Sequence, residues 1–383
     1  MHERVAIIGV GCSGFRPVTP DLSYKELMYA AALRAYSDAG LDPRRDIESF
    51  VTVAEDFNEG TSIFDEYTPD QLGAVLKPMH TICGDGLHGL ATAYMLIRTG
   101  QFSIVAVESH SKASNILTLS QIIGYAQDPV LNRPLRFNTH FVAGLDMNRY
   151  LYETDTSLED CAQVVVKNRR NALANPVAPF GADLTVEHVL SGDPLSWPLN
   201  HRQTAQHADG AVAMVLASPD KAEALSDKPV WITGVGWCNG SSALENRSWG
   251  LATEVHDAAK MAYRQAGLRN PIEGIDFAEV DDIYSYRELL SLESLGFFRT
   301  GEAKLATADG TTDPGGELPV NVSGGSLGFG DLLEANGLAR AFEVVLQLRG
   351  EAGARQLEGV NTGLAQSWRG VPTASTAVVI MQN

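Results

Sequence analysis

The chain of 383 residues has only four cysteines, Cys12, Cys83, Cys161 and Cys238, far apart and with no Cys-x-x-Cys pair. That scarcity argues against a disulfide framework and against a zinc site made within the chain. Positive charge is also short. The 29 basic residues stand against 47 acidic ones, a formal net charge of −18, which argues against nucleic acid as a partner because phosphate contacts draw on basic surface. No apolar run approaches the roughly 18 to 20 residues of a membrane span. The opening MHERVAIIGVG lacks the basic region and apolar leader of an export signal and reads as a first strand, so a cytoplasmic location is expected. Two glycine-rich stretches lack what a nucleotide loop needs. IIGVGCSG has no GxGxxG, and SGGSLGFG has no Gly-Lys-Ser/Thr ending, so neither a nicotinamide cofactor nor a phosphate loop is expected.

What remains is a soluble globular composition, 44% hydrophobic and 20% charged. The length suits two or three domains, or one large α/β body with an insertion. One cysteine stands out. In HTICGDGLHGLATAYMLIRTG (80–100), Cys83 precedes Gly-Asp-Gly at the mouth of an apolar, helix-forming run that starts near Leu87. Glycines at 84 and 86 suit a tight turn, and Cys83 is expected near the positive end of the helix, where a thiol is readily ionised. A small buried packing residue is the alternative at this point.

The chain also repeats itself. RVAIIGVGCSGF followed by ELMYAAALRAYSDAGLDPRRDIESFVTV is echoed by PVWITGVGWCNG followed by TEVHDAAKMAYRQAGLRNPIEGIDFAEVDD. Each is a strand ending in Gly-Val-Gly, a loop, an alanine-rich helix stopped by Ala-Gly-Leu (39–41 and 266–268), and a second strand. GLATAYMLIRTG (89–100) is echoed by GLARAFEVVLQLRG (337–350). A period of about 225 residues marks a duplicated domain, not a solenoid. Between the halves, 113–200 has mixed helices with several Asn and Pro. It reads as an inserted loop domain, a lid or binding platform, within a first half that spans 1–112 and resumes over 201–225; the second half is 226–383.

These features together resemble the thiolase superfamily along essentially the whole chain, most of all its sterol-carrier-protein type and bacterial and archaeal relatives. The motifs that carry the resemblance are CGDGLHGLATAYMLIRTG, DGAVAMVLAS, EVDDIYSYRELLSLESLGF, VNVSGGSLGFGDLLEANGLARAFEVVLQLRG and, in the insertion, NRYLYETDTSLEDCAQVVVKNRRNALANP. The resemblance implies an α/β thiolase fold of duplicated βαβαβαββ halves in a five-layer αβαβα body. It implies an acyltransferase that makes or cleaves a C–C bond of a 3-oxoacyl-CoA, with Cys83 as nucleophile and no cofactor beyond the CoA thioester and CoA themselves. It further implies at least a homodimer and, for this divergent group, a small zinc-ribbon and OB-fold partner that helps hold the CoA.

The sequence departs from the family at three places. The family's His-Asp-Cys-Phe reads here Asp281-Asp282-Ile283-Tyr284, its Gly-His-Pro reads Gly330-Asp331-Leu332, and the C-terminal Cys or His-Asn before two glycines reads Gln366-Ser367-Trp368-Arg369-Gly370. Replacement acid–base groups are expected among His140, Tyr284, Tyr286, Asp331, Asp282 and Ser367. Oxyanion donors are expected among the backbone N–H groups of Cys83, Gly325 and Gly370, the side chain of Asn336 and a tyrosine hydroxyl. Lys167, Arg169 and Arg170 are the candidates for the CoA phosphates, with a solvated helix face as the alternative. An altered pocket suits a branched or aromatic acyl group, such as the aryl ketone of benzoylsuccinyl-CoA. Two other readings stay open: a retro-aldolase of a 3-hydroxyacyl-CoA that works through tyrosines, and a subunit that binds acyl-CoA without catalysis.

Overall fold

A computed structural model describes residues 4–55, 63–116, 118–125, 127–241, 243–370 and 374–383. Among them are eleven strands: β1 Val5–Cys12, β2 Ser49–Val53, β3 Met79–Ile82, β4 Ile104–Lys112, β5 Pro194–Ser196, β6 Leu199–Asn200, β7 Asp209–Ala217, β8 Val230–Asn239, β9 Phe277–Glu279, β10 Thr362–Arg369 and β11 Ser375–Gln382. The helices that matter for the site are α1 Tyr24–Ala39, α2 Gly86–Arg98, α3 Thr139–Thr154, α4 Leu158–Ala172, α5 Thr253–Ala266, α6 Ser285–Ser294 and α7 Asn336–Arg349.

Apart from the β5–β6 hairpin, the strands form one sheet in the order β3-β2-β4-β7-β1-β8-β11-β10-β9. Its centre is the antiparallel β1–β8 pair, with Ala6 opposite Trp231. Outward from that pair the first half runs β1, β7, β4, β2 and the second runs β8, β11, β10, β9. In the first half β3 closes the edge. In the second half the matching place is held by a single parallel bridge from Ala278 to Val320. The sequence repeat is therefore a structural one, about an axis through β1 and β8.

The Gly-Val-Gly signature has a packing cause. A Cβ on Gly9 or Gly11 would overlap the α1 carbonyls of Ala35 and Ala31, and one on Gly234 or Gly236 would overlap the α5 carbonyls of Ala262 and Ala258. Glycine on the strand and alanine on the helix let the two backbones touch. α1 stops at Gly40 and α5 at Gly267, both left-handed and donating back to the last turn, as a C′ glycine does.

Strand alternation builds the layers. Val5 and Ile7 of β1, Val212 and Met214 of β7, and Val379 and Met381 of β11 face α2 and α7 in the central core. Ala6, Ile8, Ala213 and Val215 face α1 on one outer side. Val378 and Ile380 face α5, α6 and the helices of 113–200 on the other. That is the expected five-layer thiolase arrangement, with the paired inner helices enclosed between the two half-sheets. Cys161 is fully buried in the second outer core, and burial pushes the Cys12 thiol up to about 12, so both are packing residues.

Candidate active site

Cys83 leaves the carboxyl end of β3 and is exposed in this chain. Gly84 follows with φ +148, a conformation that glycine alone adopts easily. Asp85 is the N-cap of α2. Its Oδ1 accepts from the Leu87 N–H at 2.9 Å, and its main-chain oxygen accepts from His88 N–H at 2.8 Å. The helix end is thus occupied by a carboxylate, which offsets the positive end expected beside Cys83. Asp85 also accepts from Gly337 N–H of α7 at 2.9 Å and from the Ser367 hydroxyl. The cysteine turn is thereby tied to the end of β10.

The residues after Ser367 open onto a cavity of about 280 Å³ between the two halves and the segment 113–200. Its walls include Ile116, Leu119 and Ile123, then His140, His207, Ile283, Tyr284, Asp331, Asn336, Trp368, Arg369 and Gly370. His140 is the second residue of α3, whose cap is Asn138. Tyr284 immediately precedes α6. Asp331 and His207 are brought together by backbone pairing: Asp331 N–H donates to Gln206 oxygen at 2.7 Å, and Ala208 N–H donates to Asp331 oxygen at 3.0 Å.

Two imidazoles face this cavity in opposite electrostatic settings. His207 Nδ1 lies 3.1 Å from Asp331 Oδ2. Burial lowers the His207 pKa, but the hydrogen bond and charge of Asp331 outweigh it and raise the group above its ordinary value. Asp331 is pushed up by burial yet ends at about 2, because His207, the Asn336 amide (2.7 Å) and Leu333 N–H (3.1 Å) all favour the carboxylate. His140 Nδ1 lies 3.1 Å from the Tyr284 hydroxyl. Burial, then the charges of His207 and His201, lower its pKa. Burial also raises Tyr284, with Asp331 adding to it. Groups whose environments push their pKa values apart suit acid and base roles.

Of the sequence candidates, His140, Tyr284, Asp331, Asn336 and Gly370 meet at this cavity. Others do not. Tyr286 lies behind Tyr284, ring centroids 6.3 Å apart, and donates to Asp146 at 2.9 Å. Asp282 caps the short helix Gly325–Phe329 through Ser326 and Leu327 N–H, and it accepts from Asn168; it is structural. Asp281 pairs with Arg340 at 3.3 Å, and Ser367 serves Asp85. The Gly325 N–H is taken by Ser323 Oγ at 3.1 Å. Asn336 spends its amide on Asp331 and on Leu333 oxygen, so neither is an oxyanion donor.

The CoA-phosphate candidates are corrected too. Lys167 is buried, 2.8 Å from Glu288 and 2.9 Å from Val320 oxygen. Arg169 is buried and donates to Phe180 oxygen at 2.8 Å. Arg170 is exposed, 3.9 Å from Asp183, and stands alone. A basic cluster on an amphipathic helix reads as surface, but here two of its three members face inward. A second groove, lined by Tyr125, Arg133, Arg136 and Phe137, adjoins the cavity along the helix Leu119–Gly124 and supplies exposed basic and aromatic groups instead. Sequence reasoning also missed His207 and Trp368. The indole N–H of Trp368 is buried without an acceptor among the described residues.

Comparison with known proteins agrees with this architecture. The family described as "Thiolase C-terminal domain-like" matches residues 237–383. An acetyl-CoA acetyltransferase of Methanothermobacter thermautotrophicus is 32% identical over 98% of both chains. The chain belongs to the thiolase superfamily. With that membership comes the acyltransferase class of enzyme, acting on CoA thioesters. Within the thiolases, the benzoylsuccinyl-CoA thiolase subunit BbsB of Thauera aromatica is 33% identical over 55% of each chain. A solved structure titled "Ltp2-ChsH2(DUF35) aldolase" aligns with TM-score 0.85 and 26% identity, covering 100% of this chain and 98% of that one. Among the described residues, no helix is long and apolar enough to cross a membrane.

Proposed function

We propose that this thiolase transfers an acyl group to and from CoA through acyl-Cys83, with the His207–Asp331 pair in place of the family's absent histidine. The observation that carries the reading is the 3.1 Å contact between His207 Nδ1 and Asp331 Oδ2. Asp331 stands where the family has histidine, and the imidazole it recruits lines the same cavity. In the cleavage direction the Cys83 thiolate adds to C3 of a 3-oxoacyl-CoA. The C2–C3 bond then breaks, leaving its electron pair on C2 as the acetyl-CoA enolate, and the His207 imidazolium protonates that carbon. The neutral imidazole next takes the proton of incoming CoA, whose sulfur releases the acyl group from Cys83. The Trp368 indole N–H, buried without an acceptor among the described residues, is the proposed donor to the developing oxyanion.

The wall of Ile116, Leu119, Ile123, Ile283, Leu333 and Trp368 supports a branched or aromatic acyl group. The Arg133–Arg136 groove supports a seat for the CoA nucleotide. β3 is an edge strand with its side chains only partly covered, which supports pairing with a second copy. Two similar proteins, one a thiolase "subunit" and one described with ChsH2(DUF35), support a small second subunit.

A second reading is favoured by one feature. The Tyr284–His140 hydrogen bond lies on the cavity wall, whereas Cys83 is not among the lining residues. A tyrosine acid–base pair there suits aldol cleavage of a 3-hydroxyacyl-CoA. Mass spectrometry after incubation with 3-oxoacyl-CoA thioesters separates the two. An acyl adduct on Cys83 that CoA discharges is the expected result. Ketone or aldehyde release from 3-hydroxyacyl-CoA that survives Cys83→Ala would assign the aldolase instead.

A further inference from the structure

Five residues after Cys83, in the first turn of α2, His88 has an unusual setting. Both ring nitrogens are shielded from solvent and make no hydrogen bond of good geometry among the described residues; the main chain of Asp85 is the polar group that acts on the ring at longer range. A buried imidazole without such a bond forgoes about 1–3 kcal/mol, so it is rarely kept for packing alone. The ring lies directly under the cysteine turn: a Cβ built on Gly84 would stand 3.5 Å from His88 Cγ and 3.5 Å from Nδ1. Gly84 therefore packs in ordinary van der Waals range of the imidazole, and its φ of +148, which bends the turn over the ring, is what calls for glycine there.

We propose that His88 is the proton acceptor that ionises Cys83. The Sγ–H bond breaks and an N–H bond forms on the ring, giving a thiolate beside an imidazolium with no other reactant. The charges around the ring suit that transfer. Asp85, at the cap of the same helix, favours the imidazolium, and Arg369 opposes it. Arg369 is itself held by Glu55 at 2.7 Å and Glu334 at 3.4 Å, so its repulsion is offset. Burial lowers the His88 pKa and keeps the ring neutral and able to accept until the thiol gives up its proton. His207 then serves the enolate carbon and the incoming CoA in the cavity, and His88 serves the sulfur of Cys83. The inference rests on the acyl-transfer reading only for the use to which the thiolate is put.

The test is the pH profile of Cys83 alkylation by iodoacetamide, read by peptide mass spectrometry in the full-length protein, with the partly exposed Cys238 as internal standard. In the wild type the rate is expected to reach half its plateau below the ordinary thiol value of ~8.5. In His88→Gln, and separately in His88→Phe, that midpoint moves up by about one unit and the rate at pH 7 falls about tenfold, while Cys238 is unchanged. Continued protection of buried Cys161 shows that each variant is folded, and if one misfolds the other carries the result. A wild-type midpoint at the ordinary value, or one shared by all three proteins, overturns the inference. No acyl adduct on wild-type Cys83 together with a profile that moves in His88→Gln would sink acyl transfer and leave His88 as the base. An adduct with an unmoved profile would do the reverse.

Discussion

Replacing Asp331 by asparagine keeps the shape of the cavity and removes the charge that holds His207. Asp331 sits at about 2 rather than the ordinary 3.8, so its ionised form is favoured by a little under two units, about 2.5 kcal/mol at 1.36 kcal/mol per unit. The sign follows from a depressed folded pKa: the stabilisation is complete above 3.8 and is lost as pH falls through about 2. The His207 side chain is 45% exposed, so solvent screens its share. Asn also still accepts from Leu333 N–H, leaving an expected loss of about 1–2 kcal/mol at pH 7. The histidine reports with the opposite sign. Its raised pKa comes from Asp331 alone against burial, so its contribution is full below 6.5 while Asp331 stays ionised, and it disappears as pH rises through the folded value. In Asp331→Asn only burial remains among these causes, and His207 should titrate below 6.5. Histidine NMR gives that midpoint, and urea titrations at pH 7 and pH 2 give the stability difference, large at the first and near zero at the second. A His207 midpoint that stays above 6.5 in the variant, or a stability loss equal at both pH values, would refute the pairing as the cause.

Three further perturbations separate site from scaffold. Tyr284→Phe removes the 3.1 Å bond to His140. Acyl transfer should fall less than about tenfold and any aldol cleavage by about a hundredfold or more, measured as kcat on the two substrate types. Lys167→Met leaves Glu288 buried without its 2.8 Å partner and should cost about 3–5 kcal/mol in denaturant unfolding without raising KM for the CoA thioester, whereas Arg133→Ala and Arg136→Ala should raise KM about tenfold with kcat kept. Gly325→Ala places a Cβ in the Asp282 carboxylate at φ +57 and should lose more than about 3 kcal/mol, seen as a lowered melting temperature or an insoluble protein.

Local pattern made much of the fold legible. Gly-Val-Gly beside an alanine-rich helix is a close-packing requirement written twice, and alternation along β1, β7 and β11 separates central from outer core without knowledge of the partner strands. The site was less legible because its contacts are distant in sequence. Asp331 reads as a lost histidine until the backbone bridge to 207 brings an imidazole to it, and nothing local in Gln206-His207-Ala208 announces that bridge. Tyr284 and Tyr286 look equivalent in Tyr-Ser-Tyr, yet at the mouth of a helix two positions apart they point to different surroundings, one into the cavity and one onto Asp146. Lys167 reads as exposed because its partner, Glu288, comes from another helix. The cap of α2 was the avoidable miss, since Asp followed by Gly before an apolar run is itself an N-cap signal.

That cap also explains why Gly-Asp-Gly follows the cysteine. The duplicated fold brings the N-termini of its two inner helices together at the middle of the molecule, and two positive helix ends in one place repel each other. A single carboxylate, Asp85, accepts from Leu87 N–H of α2 and from Gly337 N–H of α7, so it satisfies both ends at once. Gly337 has no alternative there, because a Cβ would overlap Asp85 Oδ1. The same carboxylate holds Ser367 at the end of β10, two residues before the Arg369 that the cavity and Glu55 share. Cys83 is therefore fixed to the second half through its neighbour in sequence, and the positive field of the helix is spent on Asp85 before it reaches the sulfur. A reactive thiol in this turn needs another source of ionisation, and the imidazole lying beneath Gly84 is the group placed to provide it.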